Sequence, residues 1–482
     1  MSMEIIVEQN PWWENPEAID MDPFVKAYDE SLVKWHPNIL DDIDPGRNIV
    51  YSLRGPRQVG KTTLLKLMIR CLIEKGVDPR SILYISCESL SSWKEFRDVL
   101  KAFFSMSTET RTYLFLDEVT AISDWSRPVK YLYDVGILRN SFVILSGSHA
   151  IDLLTGVERL VGRRGEYVKT PDFVLLPMTF GEYIRAVDPK LYQNLISGDP
   201  LDSLMIHHKA VKHHYENYIK AGGFPQAQDS LLKLGHVKFH IIREFVNYIR
   251  QDITKGGLSL ELAIQILRKM LAIFPGTISW RAIASEIGYS HVSVSSHAEK
   301  IRALFLVEYL YPPKTEERFL VPDLKKDKKI VFIDPFIIYA LHYWFYGTTS
   351  ISRMWRKWVY DPQGRGRLLE ALVLRHLIYW VYGSTLKEEI LDSIFYFRKN
   401  DKEIDFIAIK GDIALIVESK KRKKFIRSLT TAEALVRPRR AIKILTTEGE
   451  LEKKPQFIVM PVPYLLFLLS TDKITKKFLK TL

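Results

Sequence analysis

One stretch limits the fold more than any other. Gly55-Pro56-Arg57-Gln58-Val59-Gly60-Lys61-Thr62-Thr63 fits the pattern GxxxxGK[ST] in full. It follows the apolar run IVYSL and leads into TTLLKLMIRCLIEKG, a helical pattern. A strand, a glycine loop and a helix in that order make a cradle for phosphate. Glycine lets backbone N–H groups turn inward, and the helix N-terminus brings the positive end of its dipole. Residues 55–63 are therefore expected to hold ATP. Lys61 is expected to reach the β- and γ-phosphate oxygens, and the Thr62 hydroxyl to bind Mg2+.

A second element points from binding to hydrolysis. Tyr113-Leu114-Phe115-Leu116-Asp117-Glu118 is an apolar strand that ends in two carboxylates. Asp117 is expected to hold Mg2+ from the strand end, and Glu118 to polarise the attacking water as general base. A third run, Ser141 to Leu145, ends in Ser146-Gly147-Ser148. A polar residue there can sit between the other two strand ends and contact the γ-phosphate or the water. Ser146 is the first candidate and Ser148 the second. Gly162-Arg163-Arg164-Gly165 follows. Arg163 or Arg164 is a candidate for neutralising transition-state charge, within the chain or on a neighbouring subunit; a surface arginine pair is the alternative. The runs IVYSL, SILYIS, TYLFLDE and SFVILSG are spaced by amphipathic helical patterns, which implies βαβ units and a parallel sheet.

Charge and composition restrict the partners and the compartment. The 482 residues carry 69 Lys and Arg against 57 Asp and Glu, a net charge of +12. That excess favours a polyanion such as DNA. Cys71 and Cys87 are the two cysteines, too few for a disulfide framework or a four-ligand zinc site, as in a reducing cytoplasm. The longest apolar run, Phe457 to Leu469, contains Pro461 and Pro463 and falls short of the roughly 20 residues a bilayer requires. The first residues are acidic and lack the order of a signal peptide. A cytoplasmic enzyme with no membrane partner is expected. Pattern changes divide the chain into an N-terminal segment (1–48), a phosphate-loop domain (49–178), a helical lid or linker (179–259), a winged helix-turn-helix domain (260–329) and a C-terminal α/β domain (330–482).

The fourth segment owes its reading to local order. Ser279 is expected to cap a short helix, Trp280 to Ile287; Gly288-Tyr289-Ser290 is a turn; His291 to Leu304 is a second helix; Phe305 to Tyr311 starts a wing. The second helix begins with Ser and His and carries no Arg or Lys in its first turns, so phosphate or protein contacts are favoured over base readout.

Near the C-terminus, Glu403-Ile404-Asp405 opens an alternating strand, and Glu418-Ser419-Lys420 lies on the next one. In period-2 geometry Glu418 and Lys420 share a face. Asp405 and Glu418 are expected to converge on Mg2+ or Mn2+ through hard oxygens, with Lys420 orienting water or stabilising a pentavalent phosphate. Glu370, on a long helix upstream, is a candidate third carboxylate. Lys421-Arg422-Lys423-Lys424 follows directly and is expected to hold a DNA backbone. Between Arg398 and Lys443 there are fourteen basic and six acidic residues, so +8 of the net charge gathers there.

Two resemblances follow from these residues. GPRQVGKTTLL, LFLDEV, SGS and GRRGEY with LPMTFGEY resemble the AAA-type ATPase module of a prokaryotic, largely archaeal family; AGGFP and FIDPFIIYAL resemble that family's later blocks. The order around Glu370, Asp405, Glu418 and Lys420 resembles the restriction-endonuclease-like fold with its D…ExK signature. The resemblances imply an α/β AAA-type P-loop ATPase with a parallel sheet, a helical and winged-helix middle and a nuclease-like C-terminal domain. They imply ATP with Mg2+, with Mn2+ as the alternative metal at the C-terminal site, and a homo-oligomer, with a hexamer favoured. The expected function is ATP-dependent action on DNA (binding, translocation or remodelling, with or without metal-dependent cleavage). The alternative is a regulatory, signal-transducing switch ATPase whose other domains only bind partners. A sequence-specific transcription regulator with an ATP sensor is a third class.

Overall fold

Strand β1 (Val50–Arg54) is buried at every residue, as a parallel strand covered on both faces must be. The same holds, with few exceptions, for β2 (Ile82–Ser86), β3 (Thr112–Asp117) and β4 (Ser141–Gly147). With the short β5 (Asp172–Val174) they form one sheet in the order β2-β3-β4-β1-β5, every pairing parallel. Helices Lys61–Glu74, Trp93–Met106, Ser126–Asp134 and Ala150–Glu158 lie between the strands in sequence. The computed structural model describes residues 2–107, 111–148, 150–168, 170–317, 319–385, 391–400, 402–419, 425–437, 439–449 and 451–481. Its backbone falls into two units, Met1–Leu176 and Pro177–Leu482.

The first unit absorbs the N-terminal segment that the sequence sets apart. β2 is an edge strand, and its unpaired backbone groups need cover. Residues 9–13 supply it. Asn10 accepts from the Tyr84 amide at 2.6 Å and donates to the Tyr84 carbonyl at 2.9 Å; Gln9 accepts from the Ser86 amide at 2.7 Å; the Trp13 indole donates to the Ile82 carbonyl at 2.7 Å. Trp12 is wholly buried beside them.

The second unit begins with helices. Thr179 and Glu182 form a reciprocal capping box at the start of Phe180–Val187, and helices continue to Leu260–Ile273. Then come β6 (Thr277–Ile278), helices Trp280–Ile287 and His291–Ala303, β7 (Val307–Leu310), a hairpin of β8 (Pro313–Glu316) and β9 (Phe319–Pro322), and β10 (Lys328–Phe332). β10 is the central strand of an antiparallel sheet, β6-β10-β7. It crosses the division expected at 329/330, because IVF reads as the start of the next helical pattern while its register belongs to β7. Ser279 caps Trp280–Ile287 through the Ala282 amide, as expected.

Beyond it, helices Pro335–Tyr346, Ile351–Trp358 and Pro362–Tyr382 lead to a second sheet. Its strands are β11 (Ile394–Lys399), β12 (Lys402–Lys410), β13 (Ile413–Glu418), β14 (Arg440–Thr447), β15 (Glu452–Lys453) and β16 (Ile458–Pro461), ordered β11-β12-β13-β14-β16-β15. β11, β12 and β13 are antiparallel neighbours, and β13-β14 and β14-β16 are parallel. Helix Phe425–Val436 makes the crossover from β13 to β14, placing Leu429, Ala432 and Val436 on Phe395, Ile404 and Ile416.

AGGFP and FIDPF meet in this unit. Asp334 caps Pro335–Tyr346 through the Phe336 amide (2.9 Å), accepts from the Gly223 amide (2.9 Å) and pairs with Arg375 (2.7 Å). Gly222 has φ +71°, and a Cβ there would lie 1.9 Å from Asp334 Oδ1, so only glycine fits. Phe224 packs on Phe336 at 4.8 Å between ring centres. Because Asp334 and Arg375 are both essentially inaccessible, Asp334→Ala leaves a buried guanidinium without its carboxylate. Its expected cost is about 3–5 kcal/mol, read as a shift in urea midpoint at unchanged slope. Asp334→Asn keeps only the bond from the Phe336 amide, because its carboxamide NH2 cannot accept from the Gly223 amide or from Arg375, and is expected to lose most of the same stability.

Candidate ATP site and a buried carboxylate centre

The phosphate loop runs from β1 to the helix beginning at Lys61. Gly60 sits at φ +109° as the N-cap of that helix, and Gln58 at φ +58°. Gly55 approaches β5's extension so closely that a Cβ would lie 2.3 Å from the Leu175 carbonyl oxygen. Lys61 is buried and folded back over the loop, donating to the carbonyls of Gly55 (3.0 Å) and Pro56 (3.2 Å). Arg57 and Lys61 lie 3.6 Å and 3.7 Å from Glu118 Oε1.

Because β4 lies between β1 and β3, the three strand ends bring their polar residues together. Thr62 Oγ1 donates to Asp117 Oδ2 at 2.7 Å, tying the loop to β3. Ser146 Oγ donates to Asp117 Oδ1 and accepts from the Glu118 amide at 3.1 Å. Glu118 adopts φ +51° just after β3, and its Oε2 accepts from the Ser148 amide (3.1 Å) and hydroxyl (2.9 Å). Burial pushes the Glu118 carboxyl up, but Lys61, Arg57 and the Ser148 bonds outweigh it and hold the pKa below the ordinary value. The side chain is therefore an ionised carboxylate aimed at the loop. Thr62 and Asp117 are hard oxygen donors at bonding distance from one another, which fits Mg2+.

Several expected residues act otherwise than the sequence suggests. Ser146 is fully buried; instead of facing a phosphate it holds the acidic pair in place. Ser148 does the same for Glu118. Arg164 turns inward: it donates to the carbonyls of Val50 (2.9 and 3.0 Å) and Pro171 (3.1 Å) and pairs with Asp172 at 2.7 Å. A guanidinium committed to the β1–β5 edge in this way is not placed to reach a nucleotide, so the finger expectation narrows to Arg163. Arg163 is partly exposed and meets Asp134 at 2.5 Å. Thr63 follows Thr62 in the first turn of the helix.

Two contributors escape sequence reading. Tyr84 donates its hydroxyl to Asp117 Oδ2 at 3.1 Å; burial, then Asp117, raises its pKa and keeps it a neutral donor. Lys66 lies over the Tyr84 ring at 3.5 Å and pairs with Asp22 at 3.0 Å. The one sequence signal was a tyrosine and a lysine inside otherwise apolar patterns.

The second unit gathers the C-terminal acids. Glu370 comes from helix Pro362–Tyr382, Asp405 from β12 and Glu418 from the end of β13. Glu418 Oε2 accepts from the Asp405 amide at 3.2 Å, and Asp405 Oδ2 from the Ser419 amide at 2.9 Å. The sequence foresaw this convergence but not its cation. Lys329, from β10, lies 2.7 Å from Glu370 Oε2 and 2.9 Å from Asp405 Oδ1. Burial alone would lower its pKa, but Asp405 and Glu370 raise it above the ordinary value, so it is an ammonium. Among the described residues no group of three or more His, Cys, Asp or Glu is arranged to hold a metal ion. With Lys329 Nζ held between Glu370 Oε2 and Asp405 Oδ1, the oxygens expected to take Mg2+ or Mn2+ already hold a cation, and the residues present do not fit that metal. Lys420, Lys421, Arg422, Lys423 and Lys424 lie outside the described residues.

The phosphate loop, Thr62 and the acidic pair of β3, on a sheet with β4 inserted between them, define a P-loop ATPase site. Residues 47–184 match the family model described as an AAA domain, and this part of the chain is an AAA-type P-loop ATPase domain. Residues 212–348 and 365–465 match two domains of unknown function (DUF8612 and DUF4143). The uncharacterized protein MJ1544 of Methanocaldococcus jannaschii is 23% identical over 387 residues, 77% of this chain and 74% of that protein. Among solved structures, a Walker-type ATPase of Pyrococcus abyssi is similar over 68% of this chain and 97% of its own, at 14% identity and a TM-score of 0.37. The RuvB Holliday junction branch migration motor of Thermotoga maritima is similar over 57% and 85%, at 16% identity and a TM-score of 0.24.

Glu118→Gln is expected to keep nucleotide binding and to lower turnover by about 10²–10⁴-fold, the usual share of a general base, measured as phosphate release beside fluorescent-nucleotide binding. Lys61→Ala should lose both. Because the Glu118 pKa is depressed, its carboxylate persists as pH falls toward the ordinary value of 4.5. Turnover is thus expected to show no acid limb from Glu118 above that value; in Ser148→Ala, which removes a bond to the ionised form, any such limb moves to higher pH.

Proposed function

We propose that this chain is an ATP-dependent, DNA-acting AAA-type ATPase, in which hydrolysis at the phosphate loop drives binding, translocation or remodelling of DNA. The observation that carries the DNA half is charge: +8 of the net +12 lies between Arg398 and Lys443. Such a concentration meets a phosphate backbone with little sequence preference. Lys61 would contact the β- and γ-phosphates, Thr62 and Asp117 would hold Mg2+, and Glu118 would polarise the water. Bound Mg2+ would supply charge neutralisation at the phosphates.

The winged-helix reading is supported by the order of helices around β6, β7 and β10 and by the β8–β9 hairpin. Its tip is poorly equipped for base readout: His297 Nε2 accepts from the Ser259 amide at 3.2 Å and Nδ1 donates to the Ser293 carbonyl at 2.8 Å. The nuclease-like reading of the C-terminal domain is supported by the sheet order and by the meeting of Glu370, Asp405 and Glu418. A homo-oligomer, with Arg163 completing a neighbour's site, suits the exposure of that arginine. Among the described residues no helix is long and apolar enough to cross a membrane.

The second reading, a signal-transducing switch whose remaining domains only bind partners, is favoured by the lysine in the carboxylate centre. DNA-stimulated ATP turnover separates the two. Under the first reading, single-stranded, duplex or branched DNA should raise the rate several-fold. Replacing Lys421, Arg422, Lys423 and Lys424 with alanine should abolish that stimulation. It should also lower the salt slope of duplex binding by roughly 0.9 for every phosphate no longer neutralised. A rate indifferent to every DNA tested leaves the switch reading.

A further inference from the structure

The carboxylate centre has the acids of a metal site and the cation of a different kind of site. The Glu370 and Asp405 carboxylates converge on Lys329, and the Glu418 carboxylate takes the Asp405 amide, where side chains are at most about 5% exposed. Acids buried so deeply need a counter-charge, because desolvation penalises each ionised group by several kcal/mol. Lys329 provides it at ion-pair distance from two of the three. A divalent cation bound by the same oxygens would sit about 2.0–2.6 Å from them, in the space the ammonium fills.

Lys329 is also poorly able to leave. It lies in the central strand of its sheet, paired with Thr277 on one side and Leu310 on the other. The sheet of β10 and the C-terminal sheet are joined around it. Tyr396 of β11 donates to the Asp327 carbonyl at 2.6 Å, its amide donates to the Tyr311 carbonyl at 3.3 Å, and Arg398 donates to Thr277 at 3.2 Å. Lys329 Nζ also lies over the Phe406 ring, 5.0 Å from its centre.

We infer that the centre formed by Glu370, Asp405 and Glu418 is an internal ion site whose cation is Lys329, and that it takes no divalent metal while β10 stays paired. Glu370 and Asp405 then serve as an electrostatic latch that fastens β10 and its sheet to the C-terminal domain, with Glu418 holding the Asp405 backbone. Metal-dependent cleavage at this centre would require β10 to withdraw.

The test uses the full chain with Mn2+ alone as probe, in calorimetry and thermal melting without nucleotide. In the wild type, no Mn2+ binding that Asp405→Asn abolishes is expected, and Tm should not respond to Mn2+ or EDTA through this site. Lys329→Met should lower Tm by roughly 6–10 °C, as loss of one partner of a buried ion pair does. It should also create a Mn2+ site that restores part of the Tm and is absent in Lys329→Met/Asp405→Asn. Wild-type Mn2+ binding that disappears in Asp405→Asn would overturn the inference, as would an unchanged Tm in Lys329→Met. If Lys329→Met does not fold, the loss is the latch acting, and the wild-type comparison with Asp405→Asn still decides the metal question.

Discussion

The hydrogen bond from Thr62 to Asp117 is the join on which the first unit turns. It links the helix that begins at the phosphate loop to the end of β3. Asp117 is also held by Ser146 from β4 and Tyr84 from β2. One carboxylate thus takes donors from both neighbouring strands and from a helix. Glu118 is fixed in turn, through its own amide to Ser146 and its carboxylate to Ser148. The geometry is rigid because most of these donors sit on regular elements, and a site on such elements keeps its positions better than one on loops.

Where backbone geometry demands particular residues, the sequence was easy to read. Only glycine tolerates the close approach at Gly55 and the φ of Gly60, so the loop carried its own signature. β1 to β4 were apolar runs of strand length, and Asp405 and Glu418 fell together because adjacent antiparallel strands bring such positions opposite one another. Pairings set by three-dimensional packing left no such mark. Asn10 and Tyr84 are 74 residues apart, and Lys329 meets Asp405 across 76. No local pattern distinguishes Lys329 from its neighbour Lys328, yet one enters the carboxylate centre and the other lies over the Trp280 ring at 4.4 Å. Period-2 alternation alone separates them, and it becomes visible once β10 is known to be a strand.

The two units use buried charge for different ends. In the first, Lys61 and Arg57 stand beside Glu118 at distances a polyphosphate could displace. Their charges are on hand for an anion. In the second, Arg375–Asp334 and Lys329 with Glu370 and Asp405 are closed pairs at 2.7–2.9 Å with hardly any access to water. Such pairs contribute little net stability over apolar residues of similar size, but removing one partner is costly. They specify which segments meet: FIDPF with helix Pro362–Tyr382 in one case, β10 with β12 and that same helix in the other.

The cover over β2 carries a consequence for the start of the chain. Gln9, Asn10 and Trp13 act as a substitute strand, built from side chains, along an edge that would otherwise offer open amides and carbonyls. An added strand from another molecule would find no free ladder there. Residues 9–13 are thus a guard rail for the sheet. Trimming them would leave the nucleotide loop's own residues in place while giving the protein a sticky side, so that lost solubility, rather than lost chemistry, would be the first symptom.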